Sequence, residues 1–151
     1  METLHYSIDI DAPVDVVWET MLGEATYREW TGAFHEGSYF AGGWNTGDVI
    51  RFLGPNDDGP GEGGMLGHIV ENRPHEFVSI EYDGFVNNGA DDTSSDFAQL
   101  VTGTHENYTF TESGGVTTVA VDLDSVDEFR EMFNESWPTA LAKLKELAER
   151  A

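Results

Sequence analysis

Two helix-forming segments, one near each end of the chain, enclose a run of strand-like segments, and this order restricts the fold more than any other feature. In the first segment Pro13 precedes apolar residues at helical spacing, and Gly23 ends the pattern. The second segment is longer, and its apolar stripe contains Phe129, Met132, Phe133, Ser136, Trp137, Ala140, Leu141, Leu144 and Leu147. Each pattern carries a tryptophan, Trp18 in one and Trp137 in the other. We therefore expect two apolar helix faces that pack against a sheet.

The helix boundaries can also be predicted. A short second helix is expected over residues 24–30, with Tyr27 on its inner side. Ser125 and Glu128 have the spacing of a capping box, which predicts the start of the long helix. Pro138 lies inside that helix, where proline removes a backbone donor and favours a kink.

Six segments, one before the first helix and five between the helices, alternate apolar and polar residues as half-buried strands do. They are YSIDI, DVIRFLG, MLGHIVE, FVSIEYDG, HENYTFTE and VTTVAVDLD. Turn sequences rich in glycine, asparagine or proline separate several of them, namely PNDDGPGEGG, NRPHE and SGG. Because no connection between the last five of these strands is long enough for a helical crossover, we expect antiparallel pairing and a single α+β domain over residues 1–151.

Composition excludes several classes of function. The 151 residues include 29 acidic and 7 basic residues, which gives a formal net charge of −22. Such a field repels phosphate, so neither nucleic acid nor an anionic membrane is expected as a partner. The absence of cysteine excludes disulfides and thiol chemistry. No signal-peptide pattern and no long apolar run is present, and we therefore expect a cytoplasmic protein.

The order of these elements resembles the helix-grip fold of the START and Bet v 1-like (SRPBCC) superfamily. Within it, the stretches IDAPVDVVWETM, GWNTGDVIRF, GGMLGHIVENRPHEFVSIEYDG, HENYTFTESGGVTTVAVDLD and FNESWPTALAKLKELAE resemble the family related to the C-terminal domain of the activator of Hsp90 ATPase. The resemblance implies a curved antiparallel β-sheet wrapped around a long C-terminal α-helix, with two short helices after the first strand. Since the superfamily includes ligand carriers, cyclases, oxygenase domains and co-chaperones, it does not select one function.

That fold implies a cavity between the sheet and the long helix, and strand alternation predicts which side chains line it. The predicted lining residues are Trp18, Trp30, Phe52, Met65, Ile80, Tyr82, Phe85, Glu106, Tyr108, Phe110, Phe129, Met132, Phe133 and Trp137. The alternative is that these side chains fill a solid core, because well-packed interiors are the rule.

Glu106 is the one charged residue in this set, since it shares a predicted strand face with Tyr108 and Phe110. A carboxyl group buried there would have a raised pKa and could act as a general acid or bind a polar group of a ligand. The alternative places Glu106 at a strand end, in solvent or paired with a cation such as Arg51.

No metal site or cofactor is expected. The chain has five histidines, yet none forms a His-Glu-x-x-His pattern, although His68 and His105 lie on strands that can be neighbours. The acidic stretches NDDGPGE and ADDTSSD lack the ligand spacing of an EF-hand loop. GPGEGG lacks the lysine of a phosphate-binding loop, and both kinds of stretch are interpreted as turns.

The stretch from Phe85 to about Gly103 is expected to be irregular, except for a short helix over residues 96–101 that closes over the cavity mouth or covers an edge strand. The predicted function is binding of a small hydrophobic or aromatic molecule by a monomer or weak homodimer. The alternatives are a co-chaperone of an Hsp90-type ATPase, which only the resemblance suggests, and a cyclase or hydrolase that uses the same cavity.

The excess of acid with only two lysines is typical of proteins from a high-salt cytoplasm, where ions screen the repulsion between like charges. We expect the melting temperature to rise between low and molar salt concentration, as measured by circular dichroism. A melting temperature that stays constant or falls over this range would contradict adaptation to high salt.

Overall fold

The computed structural model describes residues 1–55 and 61–151. The strands are β1 (Glu2–Ile10), β2 (Tyr39–Gly42), β3 (Val49–Pro55), β4 (Glu62–Arg73), β5 (Phe77–Asn87), β6 (Ala90–Asp92), β7 (His105–Ser113) and β8 (Val116–Ser125). The α-helices are α1 (Val14–Leu22), α2 (Glu24–Trp30), α3 (Asp96–Val101) and α4 (Asp127–Arg150), and a 3₁₀ turn covers Thr31–Ala33.

The described strands form one antiparallel sheet that curves around α4. Its strand order is β1-β8-β7-β5-β4-β3-β2, and β6 pairs with β5 beside this path. β1 and β8, the first and last strands in the sequence, are therefore neighbours, with Tyr6 opposite Val121 and Ile8 opposite Val119. The predicted α+β helix-grip fold is confirmed, including the two short helices after the first strand.

The core lies between the sheet and the C-terminal half of α4. Ala140, Leu141 and Leu144 of that half are buried, as their spacing on the apolar stripe predicts. The N-terminal half is more open, because Met132 is 45% exposed and Phe133 is only partly buried. The long helix therefore covers packed core along its C-terminal half, whereas apolar side chains of its N-terminal half are only partly buried.

Trp137 lies where these two halves meet. Its side chain is 2% exposed. Its ring centroid lies 6.2 Å from that of Tyr6 in β1, 5.9 Å from that of Trp30 in α2, 4.9 Å from that of Phe34 and 6.0 Å from that of Tyr108 in β7. One indole thus joins the long helix to the first strand, to the early helices and to the centre of the sheet.

The capping box predicted for α4 is wrong. Ser125 is the last residue of β8, and its hydroxyl donates to the carbonyl oxygen of Val126. Val126 is the N-cap, with no side-chain hydrogen bond, and Asp127 and Glu128 place negative charge in the first turn instead. The helix continues through Pro138 to Arg150.

The stretch after Phe85 is more regular than expected. β5 continues to Asn87 and turns into β6 through Asn88 and Gly89, whose φ angles are 52° and 78°. Positive φ at both central residues is the reason Asn-Gly favours hairpin turns, so the sequence contained this signal. The helix predicted over residues 96–101 is confirmed, and the Ser95 side chain accepts a hydrogen bond from the Ala98 backbone N–H at its start.

The turn predicted between β3 and β4 falls largely on residues 56–60, which lie outside the described residues. NDDGPGE, interpreted as a solvated turn, falls mostly in the same place. GPGEGG, interpreted as a hairpin loop, falls there only in part, because Glu62, Gly63 and Gly64 already belong to β4. In the described part of the chain, no helix combines the length and apolar character needed to cross a bilayer.

Replacing Trp137 by alanine should lower the free energy of unfolding by about 3–5 kcal/mol, because removal of the large indole leaves a void where α4, the early helices and the sheet meet. Leu100→Ala is the control, since Leu100 is 49% exposed and exposed substitutions cost within about 0.5 kcal/mol. Urea unfolding of both variants measures the difference. Equal midpoints for the two variants would contradict the central position of Trp137.

Candidate functional site

A cavity of about 470 Å³ lies beneath the N-terminal half of α4. The sheet strands β3, β4, β5 and β7 form one side of it, and α2 with the 3₁₀ turn closes another side. Its volume falls within the roughly 300–1,000 Å³ of typical ligand pockets. The aromatic residues in its wall are Tyr27, Trp30, Phe34, Phe52, Tyr82, Phe85, Tyr108, Phe129, Phe133 and Trp137.

Most of the predicted lining residues contribute to this wall. They are Trp30, Phe52, Met65, Tyr82, Phe85, Glu106, Tyr108, Phe129, Met132, Phe133 and Trp137. The wall thus combines residues from four strands and two helices that are far apart in the sequence.

Trp18, Ile80 and Phe110 lie outside the cavity wall, and their predicted place there is a mistake. The Trp18 ring packs 5.0 Å from Phe110 and 5.9 Å from His75, centroid to centroid, near the turn between β4 and β5. Ile80 is fully buried in the core. Strand alternation gives the face on which a side chain lies, but it does not give the position along the strand at which packed core ends and the cavity begins.

Several lining residues were absent from the predicted set, and two groups among them are informative. Tyr27 and Phe34 enter from α2 and the segment after it, and the helical spacing of Tyr27 and Trp30 was the available signal for the first of them. The second group is the glycines of β3 and β4, including Gly64. Gly64 has a φ of 154°, and a Cβ there would lie 1.7 Å from the Phe52 carbonyl oxygen, so only glycine lets the two strands approach here.

Glu106 supplies the charged group of the cavity. Its side chain is on the wall, and the residue is only 8% exposed. The Tyr82 hydroxyl donates to its Oε1 at 3.0 Å, and the Tyr108 hydroxyl donates to its Oε2. Both carboxylate oxygens are therefore held by hydroxyl donors, which fixes the direction of the group.

Burial and hydrogen bonding act in opposite directions on this carboxyl group. Removal from water raises the pKa of Glu106, and the hydrogen bonds from Tyr108 and Tyr82 oppose that rise without cancelling it. The alternative pairing with Arg51 is wrong, because Arg51 donates to both oxygens of Asp91 at 2.9 and 2.6 Å. Glu106 is a buried carboxyl group whose described partners are tyrosines.

The tyrosines around Glu106 remain neutral donors. Burial raises the pKa of Tyr27, Tyr82 and Tyr108 well above the ordinary value, and the negative charge of Glu106 raises each of them further. Near neutral pH these hydroxyls keep their protons, so the site presents one acid and several hydroxyl groups within an aromatic wall.

Trp137 is another residue of the wall, and its indole N–H is buried. Among the described residues this buried nitrogen has no hydrogen-bond partner. A smaller cavity of about 110 Å³ adjoins the same region, and Glu106 and Phe133 line both spaces. A molecule in the main cavity therefore meets the acid at Glu106, whereas the Trp137 N–H is buried within the wall.

The short helix α3 packs against the rim of the cavity. The Phe97 ring stacks on Phe85 with centroids 4.5 Å apart, and it meets Phe129 edge-on at 5.8 Å. Phe97 thus connects a wall residue of β5 with a wall residue of α4. The acidic residues before α3 have structural partners, because Asp92 accepts hydrogen bonds from the Ser94 and Ser95 backbone N–H groups and from the Ser95 hydroxyl.

The sequence matches one family profile, described as Activator of Hsp90 ATPase homolog 1-like protein, over residues 11–149. No curated protein matches the chain. Among solved structures, protein MLL2253 from Mesorhizobium loti is 13% identical with a TM-score of 0.74, and the match covers 99% of this chain and 98% of that one.

Two other solved structures extend the comparison. The Aha1 dimer from Colwellia psychrerythraea is 14% identical with a TM-score of 0.71, over 99% of this chain and 97% of that one. DynU16, from the dynemicin biosynthetic locus, is 17% identical with a TM-score of 0.69, over 99% of this chain and 48% of its own. At these identities the likeness shows a shared fold.

Because the folded pKa of Glu106 is raised, the folded state keeps this proton to higher pH than the unfolded state does. The contribution to stability is complete below the ordinary pKa of 4.5 and is lost as the pH rises through the raised value. Glu106→Gln removes this pH-dependent loss of stability, because glutamine does not ionise. We expect stability measured by urea unfolding to shift in favour of the variant as the pH rises from 4 to 8.

Glu131→Gln is the matched control, since it removes one charge from an exposed position of α4. It should follow the pH profile of the unmodified protein. If Glu106→Gln and Glu131→Gln gave the same profile, Glu106 would not be the buried acid described here.

Proposed function

The chain belongs to the Activator of Hsp90 ATPase homolog 1-like family, and we propose that it binds one small, neutral aromatic molecule in the cavity under α4. The observation that carries the proposal is the buried carboxyl group of Glu106, held by two tyrosine hydroxyls inside an aromatic wall. A ligand with a flat apolar body and one hydroxyl or N–H group complements that wall.

The aromatic character of the ligand follows from the wall. Ring faces and edges from three directions, the sheet, α2 and α4, surround the space. Offset and edge-to-face ring contacts each add about 0.5–1.5 kcal/mol beyond the area that they bury. An aromatic ligand gains such contacts on several sides, whereas a flexible alkyl chain gains only the burial of its surface.

The polar group of the ligand follows from Glu106. A buried carboxylate that accepts two hydrogen bonds keeps further acceptor capacity on its oxygens. A donor group on the ligand would satisfy it, and an anionic group would be repelled by Glu106 and by the net charge of −22.

A direct test uses N-phenyl-1-naphthylamine, a neutral fluorescent molecule with two aromatic groups and one N–H donor. Its fluorescence should increase saturably with one molecule bound per chain. Phe133→Ala removes part of the wall and should weaken binding roughly tenfold, which corresponds to about 1.4 kcal/mol.

Leu100→Ala is the control for this measurement, since Leu100 is an exposed apolar helix residue outside the cavity wall. It should bind the probe with unchanged affinity. Absence of saturable binding, or equal weakening by both substitutions, would contradict a ligand site under α4.

A second candidate function is acid catalysis on the bound molecule, and Glu106 is the observation that favours it. A carboxyl group with a raised pKa retains a proton closer to neutral pH, as a general acid requires. Glu106→Gln distinguishes the two functions once the natural ligand is isolated by native mass spectrometry. Under catalysis, the variant binds that ligand but no longer converts it.

A further inference from the structure

Two histidines, His68 and His105, and three carboxylates, Glu81, Asp83 and Asp124, lie side by side on the face of the sheet opposite the cavity. His68 of β4 is directly opposite Glu81 of β5, and Glu81 is directly opposite His105 of β7. Asp124 of β8 continues the row, since its carboxylate accepts the His105 backbone N–H at 3.0 Å. Their chain neighbours Tyr82 and Glu106 line the cavity, so alternation places this row on the other side.

Three members of the row have the proximity that a metal site requires. His68 Nδ1 lies 2.9 Å from Asp83 Oδ2, and His68 Nε2 lies 3.7 Å from Glu81 Oε2. One ligand atom from each of His68, Glu81 and Asp83 can be chosen so that all three lie within 4.8 Å of one another. A tetrahedral ion with bonds of about 2.0 Å separates its ligand atoms by about 3.3 Å, so binding requires side-chain rotations that bring these atoms closer together around one nitrogen of His68.

The charge of the cluster favours a cation. Among the ion pairs of the described residues, the carboxylates of Glu81 and Asp83 face imidazoles only, and neither lysine nor arginine joins them. Two neighbouring carboxylates on one strand repel each other, and an ion between them relieves that repulsion. The acidic surface as a whole also raises the local concentration of cations.

We propose that His68, Glu81 and Asp83 form a binding site for a divalent transition-metal ion of the zinc type. One imidazole nitrogen and two carboxylate oxygens supply three ligands, and the fourth position stays open to solvent. His105 orients the site, because its Nε2 lies 3.1 Å from the other oxygen of Glu81. Ligating carboxylates commonly have such a hydrogen-bonded support.

The mixed ligand set discriminates between ions. Calcium and magnesium prefer oxygen ligands throughout, whereas imidazole nitrogen favours zinc and other first-row transition metals. The expectation of no metal site relied on linear motifs. Here the ligands come from two strands joined by register, and no spacing within one segment reveals them.

The test titrates ZnCl₂ into the full chain, without a histidine tag, by isothermal titration calorimetry. We expect one zinc ion per chain and roughly tenfold or greater weakening in His68→Ala. His5→Ala is the matched control, because His5 also pairs with a carboxylate, Asp122 at 2.6 Å, but belongs to no group of three such ligands within residues 1–55 and 61–151. It should bind zinc as the unmodified protein does, and CaCl₂ should give no one-to-one binding.

Circular dichroism verifies that each variant is folded, and Asp83→Asn replaces His68→Ala if that variant is not. Cobalt provides a second readout, since visible absorption bands of a four-coordinate Co²⁺ site should appear in the unmodified protein and in His5→Ala only. Equal weakening by His5→Ala and His68→Ala, equal binding of calcium, or no stoichiometric zinc binding would each overturn the proposal.

Discussion

The packing of Trp137 determines how the rest of the structure is arranged. Its indole contacts Tyr6 of the first strand, Trp30 and Phe34 of the early segments, and Tyr108 at the centre of the sheet. Beyond it, the C-terminal half of α4 lies directly on the core. Before it, the helix passes over a cavity of about 470 Å³. Trp137, through its contacts with these three parts of the chain, therefore marks the boundary between the packed core and the cavity.

The polar side chains around the cavity are arranged about the carboxyl group of Glu106. Burial of a carboxyl group is costly unless hydrogen bonds satisfy it, and here Tyr82 and Tyr108 both donate to Glu106. The tyrosines remain protonated because the same burial raises their pKa. The cavity therefore has an aromatic wall and one carboxyl group of fixed orientation. From that combination we propose a ligand that is a neutral aromatic molecule with a hydrogen-bond donor.

Periodicity predicted the helices and strands well, because burial sets the spacing of apolar residues. The sequence alone predicted α3 and the strand face on which Glu106 lies. Periodicity could not locate the end of the packed core along a strand, so Ile80 and Phe110 were placed in the wall by mistake. For Trp18, helical spacing gave a buried face but not that the ring packs on Phe110 outside the cavity. Ser125 has the spacing of a cap but belongs to β8, where tertiary pairing overrides local preference. The group around His68 depends on strand register, which periodicity does not define.

The most direct measurement is a high-resolution crystal structure of the protein as purified, with attention to the space between α4 and the sheet. We predict that Trp137 packs against Tyr108, that Phe133 and Tyr82 lie on separate sides of an open cavity, and that an ordered aromatic molecule lies within hydrogen-bonding distance of Glu106. A structure in which the N-terminal half of α4 has collapsed onto Tyr82, leaving no cavity, would contradict this arrangement.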